Sequence, residues 1–549
     1  MPNQPITTDP PPLYYLDNFQ QALDWLQTRY ADLLTAQEQD FMRQFVLLPV
    51  SSRALLVRLI MRKGPHFRSD RLRYPEIGCI PTAAGPLLEL DWLSDSQPLD
   101  AEQLGQLLRR DELAALLPAA AARSGRRKPE LIAELAATQP QPRPFSQWCP
   151  GHTASLFTLL IGELCETLRL MFFGNLSQGW EEFVLAQLGI FRYEQVELGP
   201  DSRGFHCRED IECYRHLHRC RQALDEGMAA GEVAELLDEQ RPDNPWLASR
   251  LARLQFNLAR QLEREEQLEA ALALYQRSGW RGARQRQIRI LEKRRDHVRA
   301  HALVQQALAE PEDDAEMQLV LRAERRLARQ LGLPPRAVAG KADSPRFDLV
   351  LPGPHPLGVE LAVREHLSSD QAPVYYVENS LITGLFGLLC WEAIFAPLPG
   401  AFFHPFHSAP ADLHSPDFHS RRRQAFDRCL ARLESDSYRP HLRHIWRHKQ
   451  GIQTPFVNWA LLSEELLEMA LHCLPARHLQ LWCQRLLADL RAHRTGMPDL
   501  IQFWPQQQRY RMIEVKGPGD RLQDNQRRWL DYCARHQMPV EVCYVQWTR

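Results

Sequence analysis

The C-terminal segment 496–547 carries the strongest structural signal in this chain of 549 residues. Two apolar runs, LIQFW (500–504) and RYRMIEVK (509–516), are separated by a Pro-Gln-Gln-Gln turn, and the second run ends at Gly-Pro-Gly (517–519). Short apolar runs bounded by turn residues are typical of β-strands. We therefore predict a hairpin here, followed by a helix and a last strand.

Charged side chains are expected to meet at one end of this hairpin. Asp499 opens the first strand and Glu514 ends the second, so antiparallel pairing makes them neighbours. Alternate residues of a strand share a face, which places Lys516 beside Glu514 and turns Val515 the other way. An exposed ion pair between Glu514 and Lys516 is the alternative interpretation, but such a pair contributes little stability, and the apolar flanks disfavour it.

This arrangement suits metal-assisted hydrolysis of a phosphodiester. Two carboxylates are oxygen ligands of the kind that Mg²⁺ or Mn²⁺ prefers. A lysine beside them can orient the attacking water and favour its deprotonated form. Hydrolysis also needs relief of the developing negative charge, which the same groups supply.

The spacing of these residues matches a known nuclease signature. Pro-Asp, fourteen further residues and then Glu-Val-Lys is the pattern of the PD-(D/E)XK nucleases. Glu514–Leu522, with Gln526 and Trp529, resembles more closely the VRR-NUC domain, and the upstream helices extend the resemblance to the bacterial form of the Fanconi-associated nuclease family. The resemblance implies a metal-dependent hydrolase that cuts DNA near 5′ flaps and branch points, degrades it in the 5′ to 3′ direction and acts in interstrand crosslink repair.

The resemblance also implies roles for single residues around one Mg²⁺ or Mn²⁺ site. Asp499 and Glu514 are expected to bind the metal, and Val515 to add its carbonyl oxygen. Lys516 is the expected catalytic lysine. Gln526 occupies the position of a glutamine that the family keeps on the following helix.

A fourth acidic residue is expected, and the sequence offers Glu378 and Glu392. On one straight helix these two residues would lie about 21 Å apart, so both cannot reach one metal. Chemistry alone leaves the choice open. The resemblance favours Glu378, which precedes a serine and an apolar helix, whereas Glu392 is more simply a helix-terminal acid.

The rest of the chain has mainly helical periodicity. We predict a multidomain, mainly α protein with helical N-terminal and tetratricopeptide-like solenoid regions and a C-terminal α/β domain of the restriction-endonuclease type. The predicted domains are a helical DNA-binding domain (1–95), a SAP-like helical module (96–148), a tetratricopeptide-like helical domain (149–340) and a VRR-NUC nuclease domain (355–549).

Three local expectations concern the entry to the nuclease domain. The Pro-rich residues 331–356 predict a linker, and 379–397 predict one long apolar helix. The histidines of 403–423 lack the i, i+4 spacing of hydrolytic zinc sites, so we expect a polar loop over the nuclease cleft. The 12 cysteines include no Cys-x-x-Cys pair, which disfavours a zinc finger.

Clustered cations are candidates for contact with DNA. The segment 62–77 interleaves cations with aromatic rings, which suits phosphates and bases, and a second cluster lies at the turn of the SAP-like module. An ordinary solvated turn is the alternative for any single residue. The predicted DNA-binding residues are Arg62, Lys63, Arg68, Arg71, Arg126, Arg127 and Lys128.

A third group of cations, between Arg281 and Arg299, has two interpretations of similar weight. It could follow a phosphate backbone, or it could pair with the acids of 263–269. The formal net charge is only −2, so any nucleic-acid surface must come from local segregation of cations.

Two rival functions fit parts of the sequence. A Holliday-junction resolvase needs two symmetric active sites, whereas this long asymmetric chain favours a monomer on branched or 5′-flap DNA. A non-catalytic repair scaffold would bind repair proteins through its helical repeats, but the complete set of Asp499, Glu514 and Lys516 argues against a decayed nuclease. The sequence contains neither a secretion signal nor an apolar run of 18 residues, so we expect an intracellular protein of the bacterial cytoplasm or nucleoid.

Overall fold

The computed structural model describes residues 12–117, 126–187, 189–199, 202–237, 240–334, 345–353, 355–415 and 417–548. Within it the chain divides into two compact units, Met1–Arg192 with Arg203–Ile211, and Tyr193–Ser202 with Glu212–Arg549. The predicted division into four domains stays a prediction.

Short helices around small sheets form the first unit. The helices are α1 Tyr14–Arg29, α2 Ala36–Leu47, α3 Val50–Ile60, α4 Ile80–Glu89, α5 Ala101–Leu107, α6 Arg110–Ala114, α7 Lys128–Thr138, α8 Phe145–Trp148, α9 Gly162–Phe173 and α10 Glu181–Gln187, with a 3₁₀ turn at Ser69–Arg71. The strands are β1 His66–Arg68, β2 Leu93–Ser94, β3 Pro98–Leu99, β4 Arg143–Pro144 and β5 Leu156–Leu159. An antiparallel sheet has the order β1-β5-β2, and β3 pairs with β4.

Local sequence explains where some of these helices begin and how closely they pack. The Thr35 side chain accepts the Glu38 N–H, and the Glu38 side chain accepts the Thr35 N–H, which forms a capping box at the start of α2. In the SAP-like region a Cβ at Gly105 would lie 2.5 Å from Cδ1 of Ile132, so glycine is needed where α5 meets α7.

A run of amphipathic helices leads to the C-terminal region. These helices are α11 Arg208–Asp225, α12 Ala230–Leu236, α13 Pro245–Arg264, α14 Leu268–Arg277, α15 Ala283–Lys293, α16 His297–Ala309 and α17 Asp314–Leu331. Consecutive helices from α13 to α17 are in contact. Leu247, Leu251, Leu254 and Leu258 recur at helical spacing and are buried, and each such burial contributes about 2 kcal/mol relative to exposure.

The cations of the third group pair largely with acids. Arg284 binds Glu316 at 2.6 Å, and Arg286 binds Glu263 at 3.4 Å. The other ion pairs of this group are Arg281 with Asp489, Arg289 with Glu263, Lys293 with Glu266, Arg294 with Glu269 and Arg299 with Asp296. The structure therefore favours a structural role for this stripe over a phosphate-binding one.

A five-stranded sheet organises the C-terminal region. Its strands are β6 Arg346–Pro352, β7 Val374–Tyr376, β8 Leu500–Trp504, β9 Arg509–Lys516 and β10 Val540–Thr548, in the order β6-β10-β9-β8-β7. Strands β7, β8 and β9 pair antiparallel, whereas β10 runs parallel to both β9 and β6.

Helices surround this sheet. They are α18 Val359–Leu367, α19 Leu381–Leu389, α20 Trp391–Ile394, α21 Phe418–Arg421, α22 Arg423–Ala431, α23 Tyr438–Lys449, α24 Glu464–Cys473, α25 Ala476–Ala488, α26 Leu490–His493 and α27 Asp524–Arg535, with 3₁₀ turns at Arg432–Glu434 and Pro505–Gln507. The order β8, turn, β9, α27, β10 confirms the predicted hairpin, helix and last strand.

The two faces of the sheet belong to different apolar clusters. Ile513 and Val515 of β9 pack in one cluster, and Tyr510 and Met512 pack in the other. Because side chains alternate along a strand, Glu514 is on the Met512 face and Val515 on the opposite one. The predicted alternation at this strand end is confirmed.

Three local predictions are wrong. The predicted linker 331–356 contains β6, which pairs with β10 about 200 residues later in the chain; its residues 335–344 lie outside the described part. The predicted long helix 379–397 is two helices that meet at Cys390. The segment 403–423 is not one polar loop, because Phe403 and His404 at its start are buried and Phe418–Arg421 near its end form α21.

Candidate active site

Strand pairing brings Asp499 and Glu514 together. Leu500 pairs with Ile513, which places Asp499 opposite Glu514 at the end of the hairpin. Oδ2 of Asp499 accepts a hydrogen bond of 2.8 Å from the backbone N–H of Val515. The carbonyl oxygen of Asp499 accepts a second hydrogen bond, from the N–H of Val377. The Asp499 carboxylate is thus fixed across the strand that carries Glu514.

Glu514 is a buried acid with an incomplete set of partners. Its side chain is 0% exposed, and Nζ of Lys516 lies 2.8 Å from its Oε1 as an ion pair without hydrogen-bond geometry. Neither carboxylate oxygen of Glu514 accepts a hydrogen bond from any residue that the structure describes. Buried carboxylates are normally paired or bound to a metal, so a further cationic partner is expected here.

The raised pKa values of the two carboxyl groups also favour a bound cation. Burial raises the pKa of Glu514 to about 8, and the charge of Asp499 adds to this rise while Lys516 opposes it. Burial likewise raises the pKa of Asp499 to about 6, against the lowering effect of the Val515 N–H and of Lys516. Without a cation the two carboxylates repel each other, and a bound cation would relieve that repulsion.

The structure separates the two candidates for the fourth acid. Glu378 lies in the turn before α19, where Oε2 accepts a 2.5 Å hydrogen bond from Tyr376 Oη and Oε1 accepts one from Asn379. Its charge raises the pKa of both Asp499 and Glu514. Asn379 links this turn to the residues just before β8, because its Oδ1 accepts a hydrogen bond of 3.2 Å from the N–H of Met497.

Glu392 lies elsewhere. It is exposed on α20, where Nη2 of Arg432 donates to its Oε2 at 3.2 Å. The predicted long helix does not form, so the two glutamates do not share one helix. Glu378 lies before α19, and Glu392 lies on α20, after the break at Cys390. Of the two, only Glu378 acts electrostatically on Asp499 and Glu514 among the described interactions.

Two residues near the site were not predicted from the sequence. Tyr376 holds Glu378 through its hydroxyl group, and alternation along Tyr-Val-Glu could have indicated that the two share a face. Glu360, in the first turn of α18, raises the pKa of Asp499. Nothing in the local sequence of α18 indicates that it packs near this hairpin.

The residues present fit a divalent cation that keeps open positions. Among the described residues, no three His, Cys, Asp or Glu side chains are gathered closely enough to enclose a metal by themselves. Mg²⁺ is usually held by one or two carboxylates, with water and substrate oxygens completing its coordination. The two oxygens of Glu514 that lack hydrogen bonds, beside Asp499, provide such a donor set.

Gln526 and Trp529 have structural roles in α27. The side chain of Gln526 accepts the N–H of Gln523 at 2.8 Å and so caps the helix. Trp529 is buried, and its indole N–H donates to the carbonyl of His493 at 3.2 Å. A catalytic role for Gln526 stays a prediction.

The predicted DNA-binding residues differ in their exposure and in the groups that they already bind. Arg68 is buried and bridges Asp70 and Glu112 at 2.7 and 2.8 Å, so its guanidinium stabilises the fold rather than facing a ligand. Three others are exposed but already have a partner: Arg62 donates to Tyr74 Oη, Arg71 pairs with Glu112 and Arg126 pairs with Glu134. Arg62, Lys63 and Arg127 are exposed, and Lys128 is half-buried.

The chain matches three family models: the VRR-NUC domain at 433–547, the FAN1 HTH domain at 13–94 and the Fanconi anemia-associated nuclease SAP domain at 98–148. It is 51% identical over 539 residues to the Fanconi-associated nuclease 1 homolog of Pseudomonas aeruginosa, which covers 98% of this chain and 96% of the relative. The chain belongs to the Fanconi-associated nuclease family. The resemblance inferred from Glu514–Leu522 is confirmed.

More distant members of the Fanconi-associated nuclease family are also similar. The homolog of Arabidopsis thaliana is 25% identical over 97% of this chain and 67% of its own length. The Homo sapiens protein is 31% identical over 34% of this chain and 19% of its own length. Family membership makes the chain a structure-specific DNA nuclease, a hydrolase whose partner is DNA, and implies dependence on a divalent metal.

The fold agrees with solved structures of the Fanconi-associated nuclease family. The crystal structure of paFAN1 bound to 2-nucleotide 5′-flap DNA with a gap matches with a TM-score of 0.95 and 51% identity, over 99% of this chain and 100% of that one. The complex with 1-nucleotide 5′-flap DNA matches with a TM-score of 0.92. The predicted fold class is confirmed. None of the helices in the described residues is long and apolar enough to cross a membrane.

Proposed function

We propose that this nuclease cuts branched DNA next to a 5′ flap, with 5′ to 3′ exonuclease activity, during interstrand crosslink repair. The observation that carries the proposal is the buried Glu514 carboxylate beside Asp499, whose Oε1 lies 2.8 Å from Nζ of Lys516 and whose Oε2 has no hydrogen-bond partner among the described residues. The likeness to paFAN1 bound to 5′-flap DNA supports the choice of substrate.

The proposed cofactor is Mg²⁺ or Mn²⁺. Glu378, Asp499, Glu514 and the carbonyl of Val515 would hold it. When bound, such an ion polarises a phosphate oxygen and lowers the pKa of a coordinated water. The N–H of Val515 fixes the Asp499 carboxylate in place.

Lys516 is the proposed catalytic cation of the chain itself. Its side chain is only 9% exposed and lies on the Glu514 face of β9. A positive charge held in this mostly buried position favours hydroxide over water as the nucleophile and offsets charge on the pentavalent phosphorus centre. Asp499 and Glu514 orient this ammonium group, because both carboxylates attract it.

Tyr376 and Asn379 are proposed positioning residues. Both donate hydrogen bonds to Glu378, one to each carboxylate oxygen. Because Glu378 is exposed, these bonds are what restrict its rotamers. They hold the carboxylate toward the hairpin before substrate binds.

A panel of labelled DNA substrates tests the function. Flap, fork, nicked and four-way substrates are incubated with Mg²⁺, Mn²⁺ or EDTA, and the products are mapped at nucleotide resolution. Cleavage of the 5′-flap substrate with either metal, and none with EDTA or with Glu514→Gln, is expected. Symmetric cleavage of the four-way substrate alone would instead favour the resolvase, and metal-dependent binding without any cleavage would favour the scaffold.

A matched pair of variants tests the fourth ligand. Glu378→Gln should reduce flap cleavage by about 100-fold or more while leaving DNA affinity unchanged, since it removes an oxygen charge from the metal site. Glu392→Gln should leave cleavage unchanged, because Glu392 pairs with Arg432 instead. The reverse ranking of the two variants would remove Glu378 from the site.

A further inference from the structure

Two histidines share the solvent-facing side of α23. His444 and His448 are at positions i and i+4 of this helix, and both are exposed. Residues at this spacing are neighbours on a helix surface. The opposite side of α23, with Leu442, Ile445 and Trp446, is buried in the large apolar cluster. The core thus fixes the helix, while the two imidazole rings stay open to solvent.

The rings of His444 and His448 lie against each other. Their centres are 4.0 Å apart, and their planes make an angle of 32°. A tetrahedral zinc ion with bonds of about 2.0–2.1 Å holds two ligand nitrogens about 3.4 Å apart. Two exposed rings at the observed separation need only a small rotation to bind one ion between them.

A hydrogen bond to the backbone fixes the ring proton of His448. Its Nδ1 lies 2.8 Å from the carbonyl oxygen of His444. A carbonyl oxygen can only accept, so Nδ1 carries the proton, and in the neutral ring Nε2 keeps the lone pair. Metal-binding histidines usually donate from their second nitrogen to a carbonyl or carboxylate in this way. This bond therefore distinguishes the pair from two unrelated surface histidines.

The charges along α23 allow a dication to approach. Each arginine and lysine of this helix is paired with an acid, which offsets its positive charge. The pairs are Arg439 with Asp436, Arg443 with Glu468, Arg447 with Glu464 and Lys449 with Glu194. His448 lies in the last turn of α23, where the helix dipole attracts cations.

Imidazole nitrogen determines the class of ion. Mg²⁺ and Ca²⁺ prefer oxygen ligands, whereas Zn²⁺, Ni²⁺ and Cu²⁺ bind imidazole. Among the described residues, no third His, Cys, Asp or Glu side chain joins the pair to form a closed metal cluster. Water would therefore complete the coordination. The expected ion differs from the Mg²⁺ or Mn²⁺ proposed at Asp499 and Glu514.

We infer that His444 and His448 form a transition-metal site separate from the catalytic hairpin. One nitrogen of His444 and Nε2 of His448 bind a single dication of the Zn²⁺, Ni²⁺ or Cu²⁺ class. The ion joins two successive turns of α23 and so stabilises the C-terminal half of this helix. The site does not depend on the proposed nuclease function.

Titration calorimetry with Ni²⁺ tests the site. The full chain is titrated in excess Mg²⁺, which competes for carboxylate sites and not for imidazole. His444→Asn and His448→Asn should each lower the number of Ni²⁺ ions bound per chain by one, because chelation needs both rings. Both variants should still cut flap DNA in Mg²⁺ at the wild-type rate, which shows that they are folded.

His301→Asn is the matched control. His297 and His301 of α16 have the same i, i+4 spacing, but among the described residues no ring contact joins them. Nε2 of His301 already accepts a hydrogen bond of 3.1 Å from the Gln305 side chain. His301→Asn should therefore leave the number of bound Ni²⁺ ions unchanged.

Hydrogen exchange locates the bound ion. Ni²⁺ at 100 times its dissociation constant should slow exchange by about 100-fold in the last two turns of α23, where local opening breaks the site. Exchange in α16 should not change, and both α23 variants should lose the protection. An unchanged number of Ni²⁺ ions in either His444→Asn or His448→Asn, or wild-type protein without Ni²⁺-dependent protection of α23, would overturn the site.

Discussion

Replacement of Asp499 by asparagine should stabilise the metal-free protein while it abolishes cleavage. Burial raises the pKa of Asp499 from 3.8 to about 6. The folded protein therefore holds a proton that the unfolded chain releases at lower pH. The free energy of unfolding therefore falls as the pH rises from 3.8, the unfolded-state pKa, and this fall is complete above about 6, the pKa in the folded protein. Asparagine is neutral and of similar shape, and its oxygen can still accept the Val515 N–H.

The size of this effect follows from the two pKa values. The difference between 3.8 and about 6 corresponds to about 3 kcal/mol in the free energy of unfolding at pH 8. Asp499→Asn also removes a charge that raises the pKa of Glu514, which adds to the gain. The gain should shrink to about 0.5 kcal/mol at pH 4 and vanish at lower pH, where the wild-type carboxyl is protonated in both states.

Asp489→Asn is the matched control for Asp499→Asn. The Asp489 carboxylate is buried but satisfied, by Nη1 of Arg281 at 2.8 Å and by the N–H groups of Arg491 and Ala492. Loss of its charge should destabilise the protein by about 2 kcal/mol. The same chemical change should thus have opposite signs at the two positions.

Hydrogen exchange of strand β9, followed against urea in EDTA at pH 8, measures this stability without interference from the first unit. Addition of Mg²⁺ or Mn²⁺ should protect the wild-type strand and should have little effect on Asp499→Asn. Flap cleavage by the variant should be undetectable. A variant that is equal to or less stable than wild type in EDTA would refute the idea that burial disfavours the charged form of Asp499 in the metal-free protein.

Three further predictions concern other parts of the molecule. Lys516→Met should slow flap cleavage by about 100-fold or more in single-turnover assays without weakening DNA binding. Arg284→Ala should lower the free energy of unfolding by about 3 kcal/mol in urea titrations, because it leaves the buried Glu316 unpaired, yet it should not alter the salt dependence of DNA binding. Burial lowers the pKa of His407 from 6.5 to about 4. As the pH falls between these values the unfolded chain gains a proton, so wild type should lose about 1.4 kcal/mol per pH unit more than His407→Asn in acid unfolding.

Local patterns in the sequence were enough to predict the hairpin that carries Asp499 and Glu514. Asp499, Glu514 and Lys516 lie within one strand–turn–strand unit, where period-two alternation and antiparallel pairing fix which side chains meet. Gly-Pro-Gly marks the end of the strand for the same local reason. The apolar spacing of α13 likewise follows from helical periodicity alone.

Features that depend on distant contacts could not be predicted in this way. The sequence of β6 predicts a linker, because the partner strand β10 follows about 200 residues later. The sequence around Arg68 predicts a DNA contact, because nothing in it indicates that Glu112 packs against this side chain. The break at Cys390, which separates Glu378 from Glu392, depends on how α19 packs against the loop around Phe456.

Local sequence is enough to indicate the proposed chemistry of this protein, because Asp499, Glu514 and Lys516 are neighbours in one hairpin. The electrostatic state of that hairpin depends instead on the whole fold. Burial raises the pKa of Asp499 and Glu514 through surrounding elements that lie far away in the chain. The loop around Phe456 also comes close to α19 at Gly384 and Gly387, where a Cβ would lie 3.1 Å or less from a side-chain atom of that loop. Desolvation and close packing are properties of the assembled fold, and no local pattern encodes them.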